Sequence, residues 1–313
     1  MGASSSWLME GSILKLQEIT LLDGSIGQEL VKRSGDRPTP LWSTSVMMDK
    51  PDLVAEVHRD YFSAGSTVAT TNTYSVLYDR LKTAGLENDR FKLWDVAIDA
   101  AVSSRNNYGY GIVAASIGPL RASYRPDNCP PAEEAEGLYE EIVKILSAKA
   151  DLLLIETMSS IDQADGALRA AIKCEKPVWI AFSVDDFDGS KLRSGESLSK
   201  TESILKEHKP DAVLINCSRP EAVTDALKVI AKFGFRFGAY ANGFTKINDD
   251  FLKESPTVDA LERRKDLSPK EYLKFVLQWI NSGATIVGGC CEVGPDHIKV
   301  IAEELTNLGH KIV

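Results

Sequence analysis

The sequence predicts an α/β fold, a (β/α)₈ TIM barrel that forms a single domain. Eight short, apolar, β-rich runs recur along its 313 residues, and most are continuous rather than alternating. Continuous runs are typical of parallel strands buried on both faces. A helical pattern follows each run, and connections of that length demand parallel pairing. Eight such units fit a closed barrel, because closure removes the sheet edges.

The predicted elements alternate strictly between strand and helix. The strands span residues 18–23, 66–71, 111–116, 151–156, 177–183, 211–216, 235–240 and 284–289. The helices span residues 51–65, 91–109, 131–150, 161–173, 198–208, 219–234, 268–283 and 294–309. The first helix shows the usual signals of both ends, since Pro51 lies in its first turn and Gly65 at its stop.

The main alternative is an open, doubly wound sheet, whose first strand usually leads into a glycine-rich phosphate loop. The residues after the first run, DGSIG at 23–27, do not form a GxGxxG motif, so the barrel ranks first. The longest irregular stretch, 242–267, is expected to hang over the barrel mouth. We interpret residues 1–12 as a disordered or artificial leader and 13–313 as the barrel domain.

Composition and charge exclude several classes of function. Lys and Arg total 36 and Asp and Glu total 45, which gives a formal net charge of −9. An acidic chain without a basic run is a poor candidate for binding nucleic acid or an anionic membrane. No apolar stretch approaches the ~18 residues of a membrane-spanning helix, and the N-terminus lacks the pattern of a signal peptide. We therefore expect a cytoplasmic protein.

Most of the residues that carry chemistry stand at the C-terminal ends of the predicted strands. In a barrel all of these ends open into one mouth, where active sites form. The residues at these ends are Asp23-Gly24-Ser25, Thr70-Thr71-Asn72-Thr73-Tyr74, Ser116-Ile117-Gly118-Pro119, Glu156-Thr157-Met158, Asn216-Cys217-Ser218, Tyr240-Ala241-Asn242-Gly243 and Gly288-Gly289-Cys290-Cys291.

Three of the five cysteines therefore converge: Cys217, Cys290 and Cys291. Neighbouring residues on a strand face opposite ways, so Cys290 and Cys291 serve one centre only if the chain is already turning, and Gly288-Gly289 supplies that freedom. Three thiolates suit Zn²⁺ with its fourth position open. Such an electron-rich zinc is suited to holding a substrate thiol as a nucleophilic thiolate. A strained vicinal disulfide is the alternative.

Other polar residues have simpler interpretations that stay open at this point. Glu156 ends a very apolar strand, and a buried carboxylate there needs a partner, which a cap or an ion pair would also provide. Asp23 before a glycine is often only a turn residue. The remaining cysteines, Cys129 and Cys174, are interpreted as core residues. The four histidines fall in helices or the tail, so no Ser-His-Asp constellation is expected.

The ordered motifs resemble the zinc-dependent homocysteine S-methyltransferases over about residues 18–305. They are LLDGSIGQEL, the LW of PLWS (40–43), PDLVAEVHRDYFSAG, TNTY, SIGP, LIETM, INC and GGCC. The resemblance implies a barrel whose Zn²⁺ cofactor is bound by catalytic Cys217, Cys290 and Cys291. It further implies that Glu156 and the backbone of Asp23-Gly24 hold the amino group of homocysteine. Asn216, Thr71 and Trp42 complete the implied substrate pocket.

The methyl donor separates the subgroups of this family. Cobalamin- or folate-using members carry further domains, and betaine-using members add a C-terminal arm and an aromatic residue where this chain has Ser75. The chain looks like the compact members that use S-methylmethionine or S-adenosylmethionine to make methionine. Betaine and dimethylsulfonio-carboxylates remain alternative donors, and a non-enzymatic zinc or redox thiol protein is the competing class. A monomer or weak homo-oligomer is expected.

Overall fold

A computed structural model describes residues 16–35, 39, 41–253 and 260–313. Its strands are β1 (Glu18–Leu21), β2 (Val68–Thr70), β3 (Ile112–Ile117), β4 (Leu152–Met158), β5 (Val178–Phe182), β6 (Ala212–Asn216), β7 (Arg236–Tyr240), β8 (Ile286–Val287) and β9 (Lys311–Ile312). Its α-helices are α1 (Ile26–Ser34), α2 (Ser43–Asp49), α3 (Pro51–Ser63), α4 (Tyr78–Lys82), α5 (Arg90–Tyr108), α6 (Ala132–Ser147), α7 (Ile161–Ala171), α8 (Glu202–His208), α9 (Pro220–Ile230), α10 (Pro269–Asn281) and α11 (Pro295–Asn307).

The first eight strands form the predicted TIM-type barrel. They pair in parallel in the order β2-β3-β4-β5-β6-β7-β8-β1, and Thr20 of β1 lies opposite Ile286 of β8. A seam separates β1 from β2, where a backbone bond from Thr67 to Leu21 (2.8 Å) is joined by bonds to the side chain of Asp23. The sheet therefore curls until its first and second strands meet, which confirms the predicted fold class.

The ninth strand, which the sequence did not predict, fills the lower part of this seam. Lys311 of β9 lies opposite Glu18 of β1, and the Val313 amide donates to the Ile19 carbonyl at 2.9 Å. From the other side the hydroxyl of Thr67 donates to the Val313 carbonyl at 2.7 Å. Two residues of strand at the chain end carry too short a pattern to be recognised before the fold is known.

The barrel interior is filled by alternate residues of the strands, as the two-residue period of a strand requires. On β4 the buried side chains of Leu152 and Leu154 face this interior, and Glu156 continues the same phase towards the mouth. The interior cluster consists of Leu22, Val68, Ala114, Leu152, Leu154, Trp179, Ala181, Ala212, Leu214, Tyr240 and Ile286. An apolar strand thus carries one charged group to the mouth.

The helices pack an apolar face against the outside of the barrel. In α3 the buried residues Val54, Val57, Tyr61 and Phe62 recur at helical spacing, while Asp60 and its neighbours on the other face are exposed. All eight predicted helices are present within a few residues of their expected limits. No helix among the described residues is both long and apolar enough to cross a membrane.

The structure differs from the prediction mainly inside the connections. Helices α1, α2 and α4 occupy the stretches after β1 and β2 that the sequence left as irregular. Strand β8 is only two residues long, because the chain leaves the sheet at Gly288. The described parts of the 242–267 stretch are irregular apart from one bridge between Phe244 and Arg263. The predicted leader, 1–12, lies outside the described residues.

Candidate active site and metal centre

A cavity of about 920 Å³ opens at the C-terminal mouth of the barrel. All but one of the residues assigned to the site from the sequence line it, and the exception is Asn216. The predicted residues on its wall are Asp23, Gly24, Trp42, Thr71, Glu156, Cys217, Cys290 and Cys291. The four histidines do not line it, which agrees with their interpretation as packing or surface residues.

Cys217 reaches the cavity because the backbone turns sharply after β6. Its φ of +46° lies in the left-handed region, which residues other than glycine adopt only rarely. The side chain is buried, and its sulfur atom contacts the sulfur of Cys290 as in a disulfide, with the Cα atoms 5.8 Å apart. This pair joins β6 to β8, so the vicinal disulfide considered for Cys290 and Cys291 is not formed.

Cys290 and Cys291 lie in a turn, as predicted, but the preceding glycines have a different role from the expected one. Neither has a positive φ. A Cβ at Gly288 would lie 3.0 Å from the carbonyl oxygen of Asp23, and one at Gly289 would collide with the side chain of Val293. Close packing against Asp23 and Val293, rather than conformational freedom, therefore requires glycine here. The Val293 amide donates to the Cys290 carbonyl at 3.1 Å and closes the turn.

The three cysteines fit a metal ion of the zinc type. Their sulfur atoms all lie within 4.8 Å of one another. Zn–S bonds of ~2.3 Å arranged tetrahedrally place sulfur atoms about 3.8 Å apart, so the Cys217 and Cys290 sulfurs must be reduced and move apart before all three bind one ion. Burial, together with the charges of Glu292 and Glu156, raises the pKa of the Cys291 thiol to about 12. A thiolate in this place needs a cation beside it, which a divalent metal supplies.

Glu156 is held at the cavity wall by two hydroxyl groups. Tyr240 donates to Oε2 at 3.0 Å, and Ser116 donates to Oε1. The register between β4 and β5 shifts between Ile155 and Met158, and Thr157 has a φ of +64°, which marks a β-bulge that redirects the chain at the mouth. Burial raises the pKa of Glu156 to about 6, although both hydrogen bonds lower it.

Asp23 has a structural task in addition to its place on the cavity wall. Its carboxylate accepts bonds from the amide of Thr70 at 2.6 Å and from the hydroxyl of Thr70 at 2.7 Å. Burial, with a further contribution from the charge of Glu156, raises the pKa of Asp23 to about 8. No ion pair to either carboxylate occurs within the described part of the chain. Two buried acids without a cation make the pocket attractive to a positively charged ligand.

The other predicted pocket residues differ in their access to the cavity. A Cβ on Gly24 would collide with the carbonyl oxygen of Val293 and lie 2.8 Å from the Tyr61 hydroxyl, so close packing behind the cavity wall requires glycine here. Thr71 and Trp42 line the wall. Asn216 is fully buried and lies behind the wall, where it accepts from the Thr157 amide and donates to the Thr157 hydroxyl, both at 3.0 Å. Its contact with substrate is therefore indirect.

Some residues of the site were not predicted. Tyr124 and Phe251 line the outer part of the cavity, and their rings lie 5.9 Å apart between the segment after β3 and the segment after β7. The only signal for them is an aromatic residue in an otherwise polar loop. The cysteines outside the cluster, Cys129 and Cys174, are half-buried. Cys174 packs against the hydrophobic core between the barrel and its helices, as expected.

Comparison with known proteins fits this geometry. Residues 20–305 match the family model described as homocysteine S-methyltransferase. The chain belongs to the homocysteine S-methyltransferase family. Among the relatives in this family, homocysteine S-methyltransferase YbgG of Bacillus subtilis is 27% identical over 93% of this chain and 95% of its own length. Homocysteine S-methyltransferase 1 of Brassica oleracea is also 27% identical, over 96% of this chain and 97% of its own.

A solved structure from the same family shares the fold. The crystal structure of the homocysteine methyltransferase MmuM from Escherichia coli, in a metallated form, has a TM-score of 0.77 at 25% identity. It matches 92% of this chain, which in turn covers 96% of MmuM, and an oxidized form of MmuM gives the same values. The single-domain barrel is thus common to this chain and to a homocysteine methyltransferase that binds a metal.

Proposed function

We propose that this protein is a homocysteine S-methyltransferase that moves a methyl group from a sulfonium donor to the sulfur of homocysteine, giving methionine. The observation that carries the proposal is the meeting of three cysteine sulfurs and the buried carboxylate of Glu156 on the wall of one cavity. The thiols suit a metal that binds the substrate sulfur. The carboxylate suits the ammonium group at the other end of the same amino acid.

Cys217, Cys290 and Cys291 are proposed as both the metal ligands and the catalytic residues. A zinc ion bound by them supplies the means to hold the homocysteine sulfur as a thiolate that stays nucleophilic at neutral pH. The left-handed backbone at Cys217 and the turn at Cys290 bring these sulfurs to the same side of the cavity. The remaining wall stays available to the rest of the substrate.

Glu156 orients the amino acid. The hydroxyls of Ser116 and Tyr240 each hold one of its oxygens, so the carboxylate has a fixed direction when the ammonium group arrives. An ammonium group bound beside Glu156 favours the ionised carboxylate and lowers its pKa from about 6. Binding at a pH below about 6 therefore releases a proton from Glu156. The backbone of Asp23-Gly24, which also lines the cavity, forms the neighbouring part of the ammonium pocket.

The transfer itself asks little of acid–base groups. The donor's methyl–sulfur bond breaks as the new methyl–sulfur bond forms, and the donor leaves as a neutral thioether that needs no proton. The lack of histidine on the cavity wall agrees with this chemistry. The protein contributes by holding the two sulfur atoms in line at close range.

The outer cavity favours a cationic donor. The aromatic side chains of Trp42, Tyr74, Tyr124 and Phe251 line it, and aromatic faces attract sulfonium and ammonium groups. Arg80 and Arg193 already lie over the rings of Tyr74 and Tyr124, so Trp42 and Phe251 are the proposed contacts of the donor cation. S-methylmethionine is the first candidate and S-adenosylmethionine the second. Ser75, which also lines the cavity and bonds the Thr44 hydroxyl at 3.0 Å, leaves this wall without the aromatic residue typical of betaine users.

The competing function is a zinc-storing or redox-sensing thiol protein, which the contact between the Cys217 and Cys290 sulfurs would suit. A thiol sensor has no use for a cavity of about 920 Å³ with two buried carboxylates, so the enzyme is preferred. We further infer a cytoplasmic enzyme, monomeric or weakly homo-oligomeric, that works on small molecules without nucleic acid. The acidic composition supports the absence of a nucleic-acid partner.

A donor panel tests the proposal. Reduced, zinc-loaded protein is incubated with homocysteine and, separately, S-methylmethionine, S-adenosylmethionine, dimethylsulfoniopropionate, betaine and methyl-tetrahydrofolate, and methionine is measured by mass spectrometry. We expect turnover with S-methylmethionine and none by Cys217→Ala. Turnover with betaine and with no sulfonium would make the donor assignment wrong. Zinc retention without methionine from any donor would instead support the thiol-protein alternative.

A further inference from the structure

The carbonyl of Cys217 is held by an arginine that the proposed reaction does not otherwise use. Nη2 of Arg193 donates to this carbonyl at 3.1 Å, and the hydroxyl of Ser183 donates to it at 3.3 Å. The amide of Cys217 donates to the Tyr240 carbonyl at 3.3 Å. A non-glycine residue persists in the left-handed region only where its surroundings hold it there. These bonds fix the backbone on both sides of the Cys217 side chain.

Arg193 is itself rigidly placed. Its guanidinium forms two bonds with Asp186, at 2.9 and 3.2 Å, and Nε donates to the Ser183 hydroxyl at 2.7 Å. The side chains of Arg193 and Asp186 are 9% and 6% exposed, so this is a buried ion pair. The guanidinium also lies over the Tyr124 ring, 4.7 Å from its centroid. These contacts restrict the rotation of the Arg193 guanidinium, so its Nη2 is a fixed donor to the Cys217 carbonyl.

The pair also reaches the segment that follows β7. The carboxylate of Asp186 accepts a bond from the Ile247 amide at 2.7 Å. A buried ion pair contributes little net stability compared with well-packed apolar residues, because burying two charges costs much of what their attraction returns. Its contacts with the carbonyl of Cys217 and the amide of Ile247 therefore point to a task other than stabilising the fold.

We propose that Arg193, with Asp186 as its counter-ion, is a positioning residue for Cys217. It holds the left-handed backbone that aims the Cys217 sulfur at Cys290 and Cys291, and so it sets the geometry and affinity of the metal site. This inference rests on the proposed function in that it takes the three cysteines as metal ligands. Because the ion pair is neutral as a unit, its effect acts through geometry more than through charge.

The test is metal binding by the full-length reduced protein. Arg193→Met alone leaves Asp186 unpaired in the interior, so the variant used is Arg193→Met with Asp186→Asn, whose amide oxygen is still able to accept from Ile247. Zinc affinity is measured by competition with a chromophoric chelator, and cobalt(II) replaces zinc for absorption spectroscopy. Cobalt(II) held tetrahedrally by thiolates gives intense visible and charge-transfer bands.

The matched control is Arg90→Met with Glu141→Gln. Arg90 also pairs with a carboxylate through two bonds, at 2.7 and 2.9 Å, donates to a backbone carbonyl, that of Glu87, and lies over an aromatic ring, that of Phe91. It does not line the cavity. It therefore reports the loss of an ion pair of similar geometry, with a more exposed carboxylate, without any contact to a cysteine.

We expect zinc affinity to fall at least tenfold and the cobalt bands to weaken or shift in the Arg193 variant, while its melting temperature changes no more than that of the Arg90 control. An Arg193 variant with the zinc affinity and cobalt spectrum of the wild type would overturn the inference and leave the proposed function intact. A wild-type protein without thiolate–cobalt bands would overturn both.

Discussion

The hydroxyl of Tyr240 donates to the carboxylate of Glu156, with 3.0 Å between the two oxygen atoms. Tyr240 ends β7 and Glu156 stands near the end of β4, so the bond crosses the mouth of the barrel above its apolar filling. Both side chains are buried and both line the cavity. The carboxylate that is proposed to bind the substrate ammonium is thus braced from the opposite wall.

Replacing Glu156 with glutamine removes the charge and keeps the shape. We expect Glu156→Gln to fold and to retain one zinc per chain, because Glu156 is not a proposed ligand. Its charge adds to the effect of burial in raising the pKa of Cys291, so its removal does not weaken thiolate binding. Homocysteine affinity should fall roughly 10- to 150-fold, since a charge-assisted hydrogen bond contributes about 1.5–3 kcal/mol. Calorimetric titration of the zinc-loaded protein measures this. An unchanged dissociation constant would leave Glu156 with a structural role only.

Removing the brace should give a weaker form of the same defect. The bond from Tyr240 lowers the pKa of Glu156 and fixes the direction of its carboxylate. Tyr240→Phe is therefore expected to raise the KM for homocysteine several-fold, and more at pH 6 than at pH 8, with zinc content unchanged. Tyr110→Phe, at an exposed tyrosine away from the cavity, serves as the control. A pH-independent KM effect would argue against the carboxylate as the mediator.

The free energy of unfolding of the metal-free protein should depend on pH through the titration of Glu156. Its pKa rises from 4.5 to about 6 on folding, so the folded state holds the proton more tightly and stability falls as pH rises through this window. The full effect is about 2 kcal/mol, of which about 1 kcal/mol lies between pH 5 and pH 8. In urea unfolding, Glu156→Gln should gain this amount relative to the wild type on going from pH 5 to pH 8.

The exposed Glu56 on α3 provides the comparison for this titration. Glu56→Gln alters the same chemical group without burial, so its stability should follow the wild type at both pH values. A Glu156→Gln variant that also follows the wild type would show that the buried carboxylate has an ordinary pKa in the folded protein.

Metal content should depend on three cysteines and not on the others. Cys217→Ala, Cys290→Ala and Cys291→Ala are each expected to lose most of the zinc, because a missing thiolate removes both charge and geometry from the site. Cys129→Ala, at a half-buried cysteine outside the cluster, should keep one zinc per chain. Elemental analysis of the purified proteins decides this, and full retention in all three cluster variants would make the assignment wrong.

The repeating part of this structure is predictable because each unit carries its own signal. The run from Leu152 to Glu156 is apolar enough to be recognised as a buried strand, and its strand end places Glu156 at the mouth once the barrel is assumed. Cys290 and Cys291 are predictable as a pair in a turn for the same reason. These features depend on residues close together in the chain.

The remaining features depend on contacts between distant residues. The left-handed backbone at Cys217 is held by Arg193, and the bulge beyond Glu156 by Asn216 through Thr157. At the seam between β1 and β2, the Asp23 carboxylate accepts a hydrogen bond from the Thr70 amide in place of a backbone carbonyl. None of these pairs has a local pattern that distinguishes it from ordinary turn or surface residues, so only the folded chain identifies them.

The pairing of β1 with β8 has a consequence for the order in which the molecule is completed. Thr20 and Ile286 lie opposite each other although almost the whole chain separates them, and closing so long a loop is an entropically costly and late event. Cys290 and Cys291 follow β8 directly and reach Cys217 through the pairing of β6 with β7 and of β7 with β8, so the cysteine cluster needs β8 but not its closure onto β1. A chain that ends before β8 therefore keeps only Cys217 of the three cluster thiols, and metal uptake at this site reports that the chain extends through β8.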